Sequence, residues 1–234
     1  MLRTSVFQVA SAFGIASACF LGTPAAHATT LIGNSYANGS ETFFISATFT
    51  PVVNPVNAGG FTGTFGGNPI LFWCADLLRD YSFGDSYNYT ATLYVNTNLS
   101  RLFTEVGGSV SATTTTDRSA AFQLAIWEIL YESNTTAPYN VGTGNFLVAN
   151  NYGNTAAVAL ANTWLLNLNV SQPLTTLYWG SNEDRQNFIT DTTIESPLLV
   201  PEPLPLSLLG VGLLAMILVA RRQTTSEPRA GACR

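Results

Sequence analysis

Two short stretches carry the residues of this chain that could do chemistry. The first, FWCAD, is centred on Cys74, and the second, FQLAIW, contains Gln123. Cys74 is one of three cysteines, and the other two, Cys19 and Cys233, lie in terminal segments that we expect to be removed. The mature chain would then hold one thiol and no partner for an internal disulfide. A thiol beside a glutamine carboxamide can displace ammonia and give a thioester, an acyl group open to attack by an outside nucleophile.

Both stretches resemble the motifs of the thioester-forming domains of bacterial surface adhesins. The first motif, an aromatic or apolar residue followed by Cys and an apolar residue, is matched by Trp73, Cys74 and Ala75. The second, apolar-Gln-x-x-apolar-Trp, is matched by Phe122, Gln123, Ile126 and Trp127. The resemblance implies a protein that couples once and is not an enzyme, with no cofactor and no metal. It implies a thioester between Cys74 and Gln123, flanked by Trp73, Phe122, Trp127 and Asp76.

Each of the two central residues also has a plainer interpretation. Free cysteine is commonly buried as a small hydrophobe, which would account for Cys74. Gln123 would then be a polar residue at the edge of a helix face. Gln172 precedes a proline in a loop and Gln186 lies among charged residues, so both rank below Gln123 as thioester partners.

The flanking residues leave two alternatives open. Trp73 and Trp127 either cover the bond and exclude water or are ordinary core aromatics. A carboxylate at Asp76 or Asp80 could take a proton from an attacking nucleophile. The plainer prediction for both aspartates is a solvated loop.

The composition excludes several classes of function. The single histidine, His27, lies in the predicted signal segment, so the mature chain lacks the base of a Cys-His or Ser-His-Asp hydrolase. It also lacks ordinary Cys/His zinc ligands. Residues 29–200 hold twelve acidic residues and four arginines, a net charge of −8, which is opposite to what binding of nucleic acid requires.

The N-terminus is typical of a secretory signal. Residues 1–28 contain Arg3, an apolar run, and an Ala26-His27-Ala28 cleavage site before Thr29. Lipidation at Cys19 is the weaker alternative. We expect residues 29–196 to form an exported surface domain.

The C-terminus resembles the PEP-CTERM sorting signal of Gram-negative bacteria. A linker over 197–203 ends in Pro201, Glu202 and Pro203, an apolar run follows over 204–220, and a basic tail over 221–234 begins with Arg221 and Arg222. Seventeen apolar residues just span a bilayer core, and the arginines would hold the tail in the cytoplasm. The resemblance implies an exosortase-type protease that cuts near the motif, after transient anchoring in the inner membrane. A permanent anchor is the alternative.

Hydrophobic periodicity predicts the elements between the two ends. The predicted strands are residues 42–49, 61–65, 70–76, 87–95, 174–179 and 187–189, and the predicted helices are residues 118–132 and 155–168. Residues 51–60, 107–116 and 140–153 are predicted loops, and Asp117 is the predicted N-cap of the first helix. The fold class is therefore α+β and mainly β, a β-sandwich or barrel with a small helical subdomain. Cys74 would lie near a strand end and Gln123 on the opening turns of a helix.

Three classes of function follow. The first is a cell-surface or extracellular adhesin that couples through its thioester to an amine- or hydroxyl-bearing polymer such as a polysaccharide. The second is a non-covalent matrix- or carbohydrate-binding β-domain with Cys74 as a buried thiol. The third, a hydrolase, lacks a base.

Overall fold

The computed structural model describes residues 28–48, 54–132, 138–149, 155–168 and 171–194. The strands are β1 (Ala28–Tyr36), β2 (Glu41–Phe43), β3 (Ile45–Ala47), β4 (Val56–Ala58), β5 (Phe61–Phe65), β6 (Asn68–Cys74), β7 (Ser86–Tyr94), β8 (Phe146–Val148), β9 (Leu177–Ser181) and β10 (Phe188–Thr190). The helices are α1 (Thr97–Val106), α2 (Gly108–Ala112), α3 (Thr116–Tyr131) and α4 (Thr155–Leu166).

Six strands close into an antiparallel barrel in the order β1, β5, β6, β10, β9 and β7. Closure leaves no unpaired sheet edge in this unit. Two small sheets lie outside the barrel, one of β2 with β4 and one of β3 with β8. The predicted mainly β fold is therefore confirmed, and the barrel is the correct one of the two predicted architectures.

Aromatic rings fill the barrel because inward positions alternate along each strand. In β5 the inward residues are Phe61, Gly63 and Phe65. Phe188 of β10 packs edge-on against Phe72 of β6, with ring centroids 5.4 Å apart. This contact fixes the position of β10 beside the end of β6.

Strand β6 changes character at its C-terminal end. Its first half is exposed on one side, but Trp73 and Cys74 are both buried. Phe72 faces the barrel, whereas Trp73 faces the helices and contacts Phe122 of α3 at 4.7 Å between ring centroids. The end of β6 is therefore enclosed by the barrel on one side and by helices on the other.

Helix α3 packs against the three other helices and against the two small sheets. It begins where the Thr115 side chain accepts a hydrogen bond from the Arg118 N–H at 3.2 Å, so the predicted N-cap at Asp117 is wrong. From Ser119 to Ile129 every residue is buried. Neighbouring elements therefore cover all faces of this part of α3.

Candidate functional site

The side chain of Gln123 holds the backbone of Cys74 through two hydrogen bonds. The Cys74 N–H donates to Gln123 Oε1 at 2.9 Å, and Gln123 Nε2 donates to the Cys74 carbonyl oxygen at 2.7 Å. Gln123 is 0% exposed and Cys74 is 3% exposed. The structure thus brings together the two residues that the sequence motifs singled out. The interpretation of Gln123 as a polar residue at a helix edge is wrong.

Strand register explains why the backbone N–H and C=O of Cys74 can bond a side chain. Strand β5 begins at Phe61, which is opposite Phe72, so continuation of β5 would place Gly59 opposite Cys74. On the other side, Cys74 is opposite Phe188 of β10, and the flanking bond runs from the Ala75 N–H to the Asn187 carbonyl at 2.9 Å. The N–H and C=O of Cys74 therefore point towards the missing stretch of β5. The Gln123 carboxamide bonds the N–H and C=O of Cys74 in place of the peptide groups that β5 would have supplied there.

One face of α3 lies along the segment that leaves β6. Gln123, Trp127 and Tyr131 are spaced four residues apart and share this face. The Tyr131 hydroxyl accepts a hydrogen bond from the Leu77 N–H at 2.9 Å and donates to the Ala75 carbonyl at 3.4 Å. Sequence reasoning missed Tyr131, although its position eight residues after Gln123 was an available signal.

The Cys74 thiol is free and buried. It donates a hydrogen bond to the Asp76 carbonyl at 3.1 Å. Burial raises the pKa of Cys74 to about 12, while the hydrogen bond with the Asp76 backbone and the nearby Trp127 indole act in the opposite direction. The resting form is therefore the thiol, and any thiolate must be stabilised locally.

Asp76 is not part of a solvated loop, so that prediction is wrong for this residue. It is 7% exposed, its Oδ1 accepts the Leu78 N–H at 2.8 Å, and its Oδ2 lies 3.8 Å from Arg79. Its oxygens therefore hold the turn after β6. Asp80 is exposed, as predicted.

A second glutamine stabilises the same turn. Gln186 Nε2 donates to the carbonyls of Asp76 and Arg79, at 3.0 and 3.1 Å. Sequence reasoning ranked Gln186 below Gln123 as a thioester partner and did not foresee this role. Charged neighbours in its sequence obscured it.

A pocket of about 280 Å³ reaches the site. Cys74 and Trp127 contribute to its lining, together with aromatic side chains that include Tyr36, Phe61 and Phe83. Phe83 is 39% exposed, so the pocket has an accessible rim although the thiol itself is covered. Its size is just below the ~300–1,000 Å³ typical of ligand pockets and suits a small reactive group.

The two tryptophans of the motifs differ in their surroundings. Trp73 donates its indole N–H to Ser109 Oγ at 2.9 Å and packs against Phe122, which also contacts Phe103 at 4.8 Å. Trp73 and Phe122 are therefore core aromatics that connect β6 to the helices. Trp127, in contrast, lines the pocket beside the thiol.

The predicted signal segment lies outside the described residues except for Ala28, which is the first residue of β1. The predicted linker, membrane helix and basic tail, with Pro201, Glu202, Pro203, Arg221 and Arg222, lie wholly outside them. Within the described ranges, no helix is both long and apolar enough to cross a membrane. The same ranges contain no group of three or more His, Cys, Asp or Glu side chains arranged to hold a metal ion.

Two solved structures from Streptococcus pyogenes are similar to this chain. The N-terminal thioester domain of the fibronectin-binding protein SfbI is 14% identical, with 66% of this chain and 94% of that chain covered and a TM-score of 0.35. The N-terminal domain of the pilus tip adhesin Cpa is 10% identical, with 68% and 96% covered and a TM-score of 0.37. No protein-family model and no curated protein sequence matches the chain.

Proposed function

We propose that this domain forms an internal thioester between Cys74 Sγ and Gln123 Cδ and couples covalently to amines or hydroxyls of an external polymer. The observation that carries the proposal is the pair of hydrogen bonds, 2.9 and 2.7 Å long, that fixes the Gln123 carboxamide on the Cys74 backbone. A strand and a helix of the same chain hold the two reactants in place, so their reaction is intramolecular. The role is attachment or adhesion rather than turnover.

Thioester formation exchanges one bond for another without any cofactor. The Cys74 sulfur attacks Gln123 Cδ, and negative charge develops on Oε1, which already accepts the Cys74 N–H. The Cδ–Nε2 bond then breaks, and Nε2 takes up the thiol proton and leaves as ammonia. In the coupling step an external amine or hydroxyl attacks Cδ, the C–S bond breaks, and the sulfur regains a proton. The pocket beside Cys74 and Trp127 is the route for this nucleophile.

The intact mass of the purified domain tests the bond. We expect a mass lower than the composition by one ammonia, and no thiol that alkylates under native conditions. Cys74→Ala and Gln123→Ala should each abolish the loss of ammonia. Gln186→Ala is the matched control and should retain it, because Gln186 bonds only the turn. A full-composition mass, with a thiol that alkylates on unfolding, would contradict the proposal.

A non-covalent binding domain is the second candidate. It is favoured by the hydrogen bond from the thiol to the Asp76 carbonyl and by the raised pKa of Cys74, since both describe a stable buried thiol. The half-exposed rings of the pocket, among them Tyr36 and Phe83, would then stack on a carbohydrate ligand. The mass measurement separates the two candidates, because only the first loses ammonia.

We further propose export and surface sorting. The signal over 1–28 and the tripartite C-terminus support removal of both ends, the second by an exosortase-type protease acting near Pro201, Glu202 and Pro203. Terminal sequencing of surface material should begin at Thr29 and lack Arg221. Recovery of Cys233 from that material would defeat the sorting proposal and favour a permanent anchor.

A further inference from the structure

The indole N–H of Trp127 is buried without a hydrogen-bond partner among the described residues. Trp127 is 2% exposed, so its indole is withdrawn from bulk water. An unpaired buried donor destabilises the folded state, because it has given up its hydrogen bond to water. Such a group in a native structure calls for an explanation, and one known explanation is a role in chemistry.

Trp73, the other tryptophan of the two motifs, does not have an unpaired indole N–H. Its indole is equally enclosed, yet its N–H donates to the buried Ser109 Oγ at 2.9 Å. Both tryptophans lie beside the end of β6 and belong to the two sequence motifs. Burial of a tryptophan in this fold is therefore compatible with a satisfied N–H. Burial alone therefore does not explain why the Trp127 N–H lacks a hydrogen-bond acceptor, and its position in the site must be considered.

Trp127 lies beside the sulfur of Cys74, the atom that would react in the proposed thioester. Trp127 and Cys74 line the same pocket, and Trp127 lies one helical turn after Gln123 on the face of α3 that covers Cys74. The indole also favours the ionised form of Cys74, against the large effect of burial on the pKa of this thiol. The unpaired donor is thus next to the sulfur, which carries negative charge as it attacks and again when the C–S bond breaks.

We propose that the Trp127 indole N–H is the hydrogen-bond donor that stabilises negative charge on the Cys74 sulfur. In thioester formation it acts on the sulfur as the thiol proton leaves. In coupling it acts when the C–S bond breaks and the electron pair returns to the sulfur, before reprotonation. This role in acyl transfer rests on the proposed thioester. The contact between the N–H and the thiolate does not depend on the proposed thioester. It can be tested in a variant that cannot form the bond.

The first test uses Gln123→Ala, which cannot form the thioester. Thiolate formation is followed by ultraviolet absorption during a pH titration, and the same variant with Cys74→Ser is subtracted to remove the signal of the tyrosines. Adding Trp127→Phe keeps an aromatic ring but removes the N–H, so ionisation should move to higher pH, with an about tenfold loss of thiolate at a given pH. Adding Trp73→Phe instead should leave the midpoint unchanged. Equal midpoints for the Trp127 variant and its parent would overturn the proposal.

The second test keeps every tryptophan and so does not depend on the folding of a core variant. In Gln123→Ala, the indole ¹H–¹⁵N NMR signal of Trp127 should shift downfield with the same midpoint as thiolate absorption, while that of Trp73 stays in place. A stationary Trp127 signal during ionisation of the sulfur would refute the contact.

The third test addresses acyl transfer in the otherwise unmodified domain. Opening of the thioester by methylamine should be at least about tenfold slower in Trp127→Phe than in Trp73→Phe. Equal rates would refute the role in acyl transfer. If the mass measurement shows no thioester, the proposed function fails, and the two tests in Gln123→Ala still decide the hydrogen bond.

Discussion

Gln123 makes the two hydrogen bonds that a strand residue would make to Cys74. Its carboxamide has the same donor and acceptor as a peptide group, and it occupies the position opposite Cys74 where β5 has ended. A backbone satisfied in this way needs no further strand, so the barrel can end there. The residue that completes the sheet is therefore also the residue that the proposed thioester would join to the thiol.

Replacement of Gln123 should be costly. Gln123→Ala leaves the Cys74 N–H and C=O unpaired in a buried site, and we expect a loss of about 2–4 kcal/mol in the free energy of unfolding. Gln186→Ala is the control, since its two acceptors lie at a partly exposed turn, and it should cost about 1 kcal/mol. Denaturant unfolding measures both. A smaller loss for Gln123→Ala than for Gln186→Ala would contradict this account.

Glu128 gives the domain a predicted pH dependence. It is 1% exposed, and burial raises its pKa to about 7, with the nearby Glu132 acting in the same direction and the Asn140 N–H opposing both. The folded state therefore retains a proton that the unfolded chain has lost. The free energy of unfolding should fall as the pH rises from about 4.5 to about 7 and then level off.

Glu128→Gln should remove most of this fall. The variant should match the native domain near pH 4.5 and be more stable at pH 8 by on the order of 2 kcal/mol. Its amide oxygen can still accept the Asn140 N–H. Glu183→Gln, at an exposed position, is the control and should keep the same fall with pH as the native domain, because it retains Glu128. Thermal or denaturant unfolding at several pH values decides the matter, and a constant difference between Glu128→Gln and the native domain would exclude titration of Glu128 as the cause.

At the scale of elements, α3 acts as a rod that holds the end of β6 at two points. Gln123 holds Cys74, and two turns later Tyr131 holds Ala75 and Leu77. Tyr131→Phe should cost about 1 kcal/mol and speed hydrogen exchange of the Leu77 amide by about fivefold or more. Tyr139→Phe is the matched control, because the Tyr139 hydroxyl bonds Asn98 instead. Unchanged exchange at Leu77 in Tyr131→Phe would show that α3 does not hold this segment.

Much of this arrangement was predictable from the sequence. The strand that ends at Cys74 and the helix around Gln123 lie within a few residues of their predicted positions, because the first is a short apolar run after two glycines and the second is a long run without Gly or Pro. Cys74 was predicted near the end of a strand over 70–76, and it is the last residue of β6. The predicted strand over 42–49 is two short strands, β2 and β3, which pair with different partners.

Other elements were missed for physical reasons. Helix α1 was absent from the prediction, although Asn96 caps its start and Gly107 ends it in the left-handed region. The predicted loop over 107–116 contains α2. This helix was missed because tertiary contacts bury Ser109, among them the hydrogen bond from the Trp73 indole, and composition does not reveal such contacts. Strands β1, β4 and β8 were also missed. The last two have only three residues each and depend on pairing rather than on a local pattern.

On the scale of the whole molecule, the site lies where a closed barrel meets a helical layer. The barrel fixes Cys74 through β6 and β10, and the helical layer fixes Gln123 and Trp127 through α3. Neither unit alone contains both reactants. The proposed thioester would therefore form only in the folded domain, because Cys74 and Gln123 are 49 positions apart along the chain.

The absence of lysine from the sequence makes a prediction for the whole molecule. All nine basic residues are arginines, whose guanidinium stays protonated and is a poor nucleophile. After signal removal the amine of the chain would be the N-terminus at Thr29, which lies in β1 opposite Tyr89. A thioester at Cys74 and Gln123 should therefore meet almost no reactive amine on other copies of the same protein. Incubated alone, the domain should form no amide-linked dimers except through Thr29, whereas methylamine should add one equivalent at Gln123 and expose one thiol.

Introduced lysines sharpen this test. Leu78 lines the pocket and is 53% exposed, so Leu78→Lys places an amine at its rim. We expect this variant to lose its thioester without added amine, more rapidly at higher pH as the lysine loses its proton. Val110→Lys, at a residue that is 74% exposed and does not line the pocket, should keep it. Intact mass and thiol alkylation follow both. Extensive self-crosslinking of the native domain after its N-terminus is blocked would show that the lack of lysine does not protect the bond.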